Sequence, residues 1–583
     1  MNSRGLHIRL ALTLALQLTV GMLILLTPPG SRRIEVHAQG GTHRYVAPGG
    51  TDGGNDCTRS DSPCRSVQHA VDQANEGDDI RVAAGLYTDL SARPRRDVTA
   101  AGVVTQVLYI SKSIAVRGGY TTTNWTTPDP QRNPTTLDAR GRGRVIYVTG
   151  EINPTIEGLR ITGGDASGLG GLALGTPGGG HAGGGVYVIS ATATLKDNHV
   201  FSNTVSGAGY GGGFCLCSSR ASLSGNTVTS NTASSGGGLY LHAADSTLNE
   251  NTISSSTAGS EGGGLYLWTS HASISRNAIV SNTARIGGGL RASEGSPTLS
   301  DNTIAYNSAD NLGGGLCLSG FDHGTLAGNA ISSNRAGAAG GGLHIYWSRF
   351  ATLDGNAFIS NSTEGSGGGL SVDGTARTTL SANTIISNSA GHSGGGLRMG
   401  ASGDTSMVNN VVSDNRALVA GSGLSIDGSS ARLLHTTVTH NTGGDGSGIH
   451  ITELWPGPGF PSKEYSTVWM TNTILHNQTV GISVTAHNTV TIGGVLWYST
   501  PVTVSESALA AVIAEGQYQG DPAFGADGYH LTAGSAAIDR GLRAAVTTDI
   551  DGETRDQSTL PDLGADEYVA WRITYLPVVM NGR

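Results

Sequence analysis

The sequence predicts an all-β solenoid: a right-handed parallel β-helix with a short N-terminal capping helix and a C-terminal cap. Three observations carry this. A glycine triplet recurs, its third glycine falling at Gly185, Gly213, Gly238, Gly264, Gly289, Gly315, Gly342, Gly369, Gly396, Gly423 and Gly448, in steps of 25 to 28 residues. Asparagines five apart keep pace with it, as at Asn198/Asn203, Asn329/Asn334, Asn356/Asn361 and Asn383/Asn388. Between them the apolar residues alternate in short runs broken by Gly and Asn, without the three-and-four spacing of a helix. A unit this short cannot bury its own core, so copies must stack, each covering the next. Parallel coils then lie about 4.8 Å apart along the axis, and the handedness follows the rule for parallel crossovers.

The stretch Gly340–Asn361 shows the frame: GGG-L-x-[LIV], a spacer, then L-x-x-N-x-[IVF]-x-x-N. Leu343, Ile345, Leu353 and Phe358 are expected to point inward, with the Leu343 equivalents forming one buried column. Gly and Asn both tolerate positive φ at corners, and stacked Asn side chains can hydrogen-bond along the pile. The expected place of Asn356 and Asn361 is at two corners beneath Asn383 and Asn388. Ser256 and Thr436 stand where Asn is expected, and Gly421-Ser422-Gly423 and Gly446-Ser447-Gly448 replace triplets, so the helix should change shape toward its C-terminal end.

The pairing of GGGL with [IVF]-x-x-N resembles the repeats of chlamydial polymorphic outer-membrane proteins. More broadly it resembles bacterial β-helix proteins of the pectin-lyase-like superfamily. The resemblance covers about Gly183–Asn477 and implies fold more than activity.

The organisation expected is a signal peptide over 1–38, an N-terminal cap and irregular early coils over 39–165, regular repeats over 166–500, C-terminal coils and cap over 501–569, and a tail over 570–583. Arg4 and Arg9 followed by the apolar run Leu10–Leu26 form a secretory signal pattern, with Val36-His37-Ala38 as the cleavage site. An uncleaved anchor is the alternative, the run being at the short limit for a span; the mature chain is expected to have no membrane span. The helix of the cap is expected to start at Ser62-Pro63 and bury Val67, Ala70, Val71 and Ala74. Tyr45–Asp52, Ser66–Ala70, Gly77-Asp78 and Gly85–Tyr87 resemble the N-terminal cap of the same superfamily.

Cys57 and Cys64 bracket a six-residue loop and read as a disulfide in an exported chain. Cys215, Cys217 and Cys317 read as surface or half-buried thiols. Strands are expected at Leu108–Ile110, Ile114–Val116, Val145–Val148 and Ile156–Ile161, and Gly163–Gly185 as a flexible loop. Trp455–Pro461 is a proline-punctuated projection, after which Asn472 and Asn477 should resume one coil. The segment Asp521–Tyr568 resembles the choice-of-anchor Q domain, and its expected role is to hide the last coil's open edge. Within it Asp549, Asp551 and Asp556 are candidate calcium ligands, although EF-hand spacing is absent; no other cofactor is expected.

A net charge of −9 with only three lysines, Lys112, Lys196 and Lys463, argues against nucleic-acid binding. Residues two and four beyond each Gly triplet should face away from the core. Tyr240, His242, Tyr266 and Trp268 then form an aromatic block suited to stacking on sugar rings. His344, Tyr346, Asp373, Arg398 and Asp427 form a second patch, in which His344, Asp373, Arg398 and Asp427 are candidate catalytic residues. The spacing of Asp373 and Asp427, about 9.6 Å between backbones, is near that of inverting glycoside hydrolases. The paired-Asp and Gly-His-Gly motifs of polygalacturonases and the Arg-x-x-Pro-x-x-Arg pattern of pectate lyases are missing. The reading that results is an exported cell-surface or secreted stalk that binds carbohydrate or another surface, with a polysaccharide lyase or hydrolase as the alternative.

Overall fold

The computed structural model describes residues 41–94, 103–172, 180–454, 464–555 and 559–569. The expected signal segment, Trp455–Pro461, Asp556 and the tail lie outside them. Each regular coil is built from four short strands. In one coil these are Leu343–Tyr346, Phe350–Asp354, Ala357–Ile359 and Ser362–Thr363. They pair in parallel with Leu370–Asp373, Arg377–Ser381, Thr384–Ile386 and Ser389–Ala390 of the next. The stack forms three long sheets of 30, 16 and 11 strands. Leu239, Leu265, Leu290, Leu316, Leu343, Leu370 and Leu397 face each other in register, each at most 1% exposed. No helix among the described residues is long and apolar enough to cross a membrane.

Both asparagine columns form ladders inside the helix wall. Asn356 Nδ2 donates to Asn383 Oδ1 at 3.0 Å, and Asn361 Nδ2 to Asn388 Oδ1 at 3.1 Å. The left-handed conformation belongs to the residue before each ladder Asn, such as Gly355, Ser360 and Ala382, with φ of 61°, 56° and 51°. The first glycine of the triplet is also left-handed, with φ 64° at Gly340. The third has no room for a side chain: a Cβ on Gly342 would lie 2.6 Å from the Gly369 carbonyl oxygen. Ser422 and Ser447 replace only the middle position, so Gly421, with φ 59°, and Gly446, with φ 79°, keep the conformation.

Several expectations shift. The capping helix spans Val67–Gln73 and is capped by Ser66, whose side chain accepts from His69 N–H, not by Ser62. Residues before it are held extended: Cys64 N–H bonds Tyr45 O, and Ala47 N–H bonds Cys64 O. Cys57 and Cys64 are joined as a disulfide with Cα atoms 5.1 Å apart. Part of the loop expected over Gly163–Gly185 is structured, since Gly171–Leu172 and Gly180–Ala182 open the 11-stranded sheet. Asn472 and Asn477 sit one position off the ladders, at φ of 55° and 52°. The ladder column is instead continued by Thr436 and Thr473, so the left-handed turn stays but the Asn-to-Asn hydrogen bonds end, and two strand segments fuse into Thr467–His476.

That loss of the ladder creates a docking flank. Among its described residues the segment after Gln519 has only isolated bridges, and these residues pack beside the stack instead of covering its end. Leu542 N–H donates to Asn472 Oδ1, Asn472 Nδ2 donates to Leu542 O, Ala565 N–H donates to Thr437 Oγ1, and Arg555 donates to Asn409 Oδ1. Leu531, Ala537 and Leu563 pack on Ile474 and Leu496. The last strand, Ala511–Gln519, stays largely exposed.

Candidate functional site

The outer face of the 16-stranded sheet carries both predicted patches, because residues two and four past each triplet point away from the core. The first of these columns is nevertheless buried. Tyr187, Cys215, Tyr240 and Cys317 are 0% exposed, and Tyr266 and His344 retain 8% and 5%. The segment preceding each triplet belongs to the 11-stranded sheet and folds over this column. Tyr210 stacks against Tyr240 with centroids 4.7 Å apart, and the Tyr187 hydroxyl donates to Gly171 O at 2.6 Å. The result is a second apolar layer outside the main core, including Tyr147, Tyr187, Cys215, Cys217, Tyr240 and Tyr266. Cys215, Cys217 and Cys317 are therefore buried thiols, with the first two Sγ atoms 3.1 Å apart. Burial pushes the Cys317 thiol up to about 12 and holds the Tyr240 hydroxyl far above its usual value.

The second column reaches the surface. It runs in register through His242, Trp268, Ser293, Ser319, Tyr346, Asp373, Gly400 and Asp427. His242 and Trp268 are half-buried with ring centroids 4.9 Å apart. Two serines separate this pair from Tyr346, whose ring meets that of Trp347 edge-on; Trp347 is 77% exposed. Arg291, rooted in the buried column, donates from Nη2 to Ser293 Oγ, Ser319 Oγ and the Tyr346 hydroxyl at 3.0, 2.7 and 2.9 Å. Trp347 was not singled out from the sequence. It lies just past the strand, in a left-handed turn with φ 49°, where side-chain alternation no longer applies.

The four candidate catalytic residues do come together. His344 Nε2 lies 3.0 Å from Asp373 Oδ2, which also accepts from Ser371 Oγ at 2.8 Å. Arg398 binds both carboxylates, through Nη1 to Asp373 Oδ1 and through Nε to Asp427 Oδ2 at 2.8 Å. Ser425 Oγ donates to the remaining Asp427 oxygen at 2.7 Å. Gly400 makes the room: a Cβ there would lie 2.5 Å from Asp373 Oδ1 and 2.7 Å from Arg398 Nη2. Burial pushes the Asp373 carboxyl up, but the His344 hydrogen bond and the Arg398 charge outweigh it and hold it below the ordinary range. Arg398 loses to burial and gains more from its two carboxylates, so its pKa is raised. A cluster in which one guanidinium holds two carboxylates is poorly prepared for acid–base work, which needs one acid kept protonated.

Of the calcium candidates, Asp549 and Asp551 fall among the described residues. Asp549 Oδ1 accepts from the backbone N–H groups of Asp551 and Glu553, and its Oδ2 from Glu567 N–H. Asp556 lies outside the described residues, and Asp551 turns toward His530.

A family profile described as a right-handed β-helix region matches residues 289–454. The chain is a right-handed parallel β-helix. A second profile, described as the periplasmic copper-binding protein NosD, matches residues 139–365. No curated protein sequence matches at a significant level. Similar solved structures include a periplasmic alginate epimerase at 11% identity and TM-score 0.31, covering 76% of this chain and 77% of that one. A pectate lyase superimposes at 13% identity and TM-score 0.23 over 90% and 96% of the two chains. The complex of XylC with xylose does so at 9% and 0.35, over 90% and 98%. At that degree of superposition they say nothing about activity.

Proposed function

We propose that this chain is an exported β-helix stalk whose outer face binds polysaccharide without cleaving it. The supporting observation is the second column, where Trp268 and Tyr346 flank two serines in register. Three coil steps separate the two rings, about 14 Å at the usual strand spacing. A glycan running along the axis would stack a ring face on each aromatic and meet hydroxyl groups between them. Export is supported by the N-terminal pattern, by a disulfide of the kind that persists in oxidising compartments, and by a profile match to a periplasmic family.

The test is a polysaccharide panel scored for retention and for new reducing ends or unsaturated products. Retention without product is expected. Trp268→Ala should weaken it roughly 2- to 13-fold, because one aromatic contact contributes about 0.5–1.5 kcal/mol. Trp268 is the residue to change, since Tyr240 is buried and its removal would disturb the fold. Binding that survives Trp268→Ala combined with Tyr346→Ala would refute the reading. Should product form, Asp427→Asn is expected to leave its rate unchanged; a rate abolished by that change would replace the stalk with the lyase or hydrolase reading.

A further inference from the structure

The flanking C-terminal segment carries a constellation separate from the sheet face. Asp527 and His530 lie on a turn closed by the Phe524–Leu531 bridge, and Asp551 on a turn closed by the Thr548–Thr554 bridge. Asp566 follows on a third strand of chain. Two hydrogen bonds tie the three segments together: Leu531 N–H donates to Asp566 Oδ2 at 2.6 Å, and Glu567 N–H to Asp549 Oδ2 at 3.2 Å. One nitrogen, His530 Nε2, then lies 2.5 Å from Asp551 Oδ2 and 3.9 Å from Asp566 Oδ1. One ligand atom from each of His530, Asp551 and Asp566 falls within 4.8 Å of the others. Asp566 is 2% exposed, and its Oδ1, aimed into this cluster, has no hydrogen-bond partner. A buried carboxylate oxygen without a donor is costly unless a cation completes it. The other imidazole nitrogen, Nδ1, meets Asp527 Oδ2 at 2.5 Å. That is the outer carboxylate commonly found behind a metal-bound histidine, which fixes the ring so that Nε2 faces the metal.

We infer that His530 Nε2, Asp551 and Asp566 Oδ1 form a divalent-metal site, with Asp527 as the positioning residue. One imidazole with two carboxylates favours a borderline first-row cation such as Zn²⁺ or Mn²⁺ over Ca²⁺, which takes oxygen ligands. An imidazole ligates a metal only when that nitrogen is unprotonated, so affinity should rise with pH.

The experiment is equilibrium dialysis of the full chain against Zn²⁺, with Mn²⁺ followed in parallel by electron paramagnetic resonance. The unmodified chain should hold one more equivalent than His530→Ala or Asp551→Asn. Both changes fall on solvent-reachable turns, and far-ultraviolet dichroism checks that the β-helix survives. Asp527→Asn should keep the stoichiometry and lose roughly 10- to 100-fold in affinity. Equal uptake by the unmodified chain and both ligand variants would overturn the site. Ca²⁺ displacing Zn²⁺ at equal concentration would overturn the assignment of the metal class.

Discussion

Arg398→Met is expected to destabilise the chain by about 3 kcal/mol at neutral pH. Breaking a buried ion pair from one side costs about 3–5 kcal/mol, because the abandoned charge stays where water cannot reach it. Here two charges are abandoned. The side chains of Arg398, Asp373 and Asp427 keep 18%, 26% and 12% of their exposure, which places the cost at the lower end of that range. Asp373 would retain His344 and Ser371, whereas Asp427 would retain only Ser425. Adding Asp373→Asn and Asp427→Asn should recover much of the loss. The pH dependence has a definite sign. Asp373 is held below the unfolded value of about 3.9, so its contribution is present above that pH and lost as pH falls through the folded value. Urea unfolding from pH 5 downward should show this acid-side decline in the unmodified chain and a flatter one in Arg398→Met. Equal stability of the two at pH 7 would mean that the cluster is not a structural clamp.

The fold was legible because the repeat states it many times over. The Leu343 column, the ladder positions and the strand after each triplet follow from period and alternation alone. Alternation also identified correctly which side of the strand Tyr240, Tyr266 and His344 occupy. It could not reveal that this side is covered, because the cover comes from the position just before the triplet, held by Tyr210, Ser235, Glu261 and Ile286 in successive coils, where no residue type recurs to mark it. The same limit applies at Asn472: an Asn one position off the ladder looks like a ladder residue until strand register is known. The cluster of His344, Asp373, Arg398 and Asp427 was visible as a patch, yet its electrostatic closure depends on the void over Gly400. His530 and Asp566 lie 36 residues apart in a segment without repeats, so no sequence period could unite them.

Asn361→Leu is expected to cost about 2–5 kcal/mol, although leucine has the same branched shape and the site is only 1% exposed. Asn361 Oδ1 accepts from both the backbone N–H and the Nδ2 of Asn334, each at 3.0 Å, and its own Nδ2 donates to Ile331 O at 2.8 Å. Leucine removes these partners at once and leaves polar groups stranded in the wall, each at about 1–3 kcal/mol. The chain already contains the milder substitution. Ser256 occupies a place in this same ladder, accepting from Asn231 N–H at 3.4 Å and donating its own N–H to Asn282 Oδ1 at 3.0 Å. Asn361→Ser should therefore cost clearly less than Asn361→Leu in chemical denaturation. Because each coil touches only its neighbours, the loss of amide-exchange protection should concentrate in the coils of Asn334 and Asn388. Equal costs for serine and leucine would show that packing, and not the stacked hydrogen bonds, sets the tolerance at this corner.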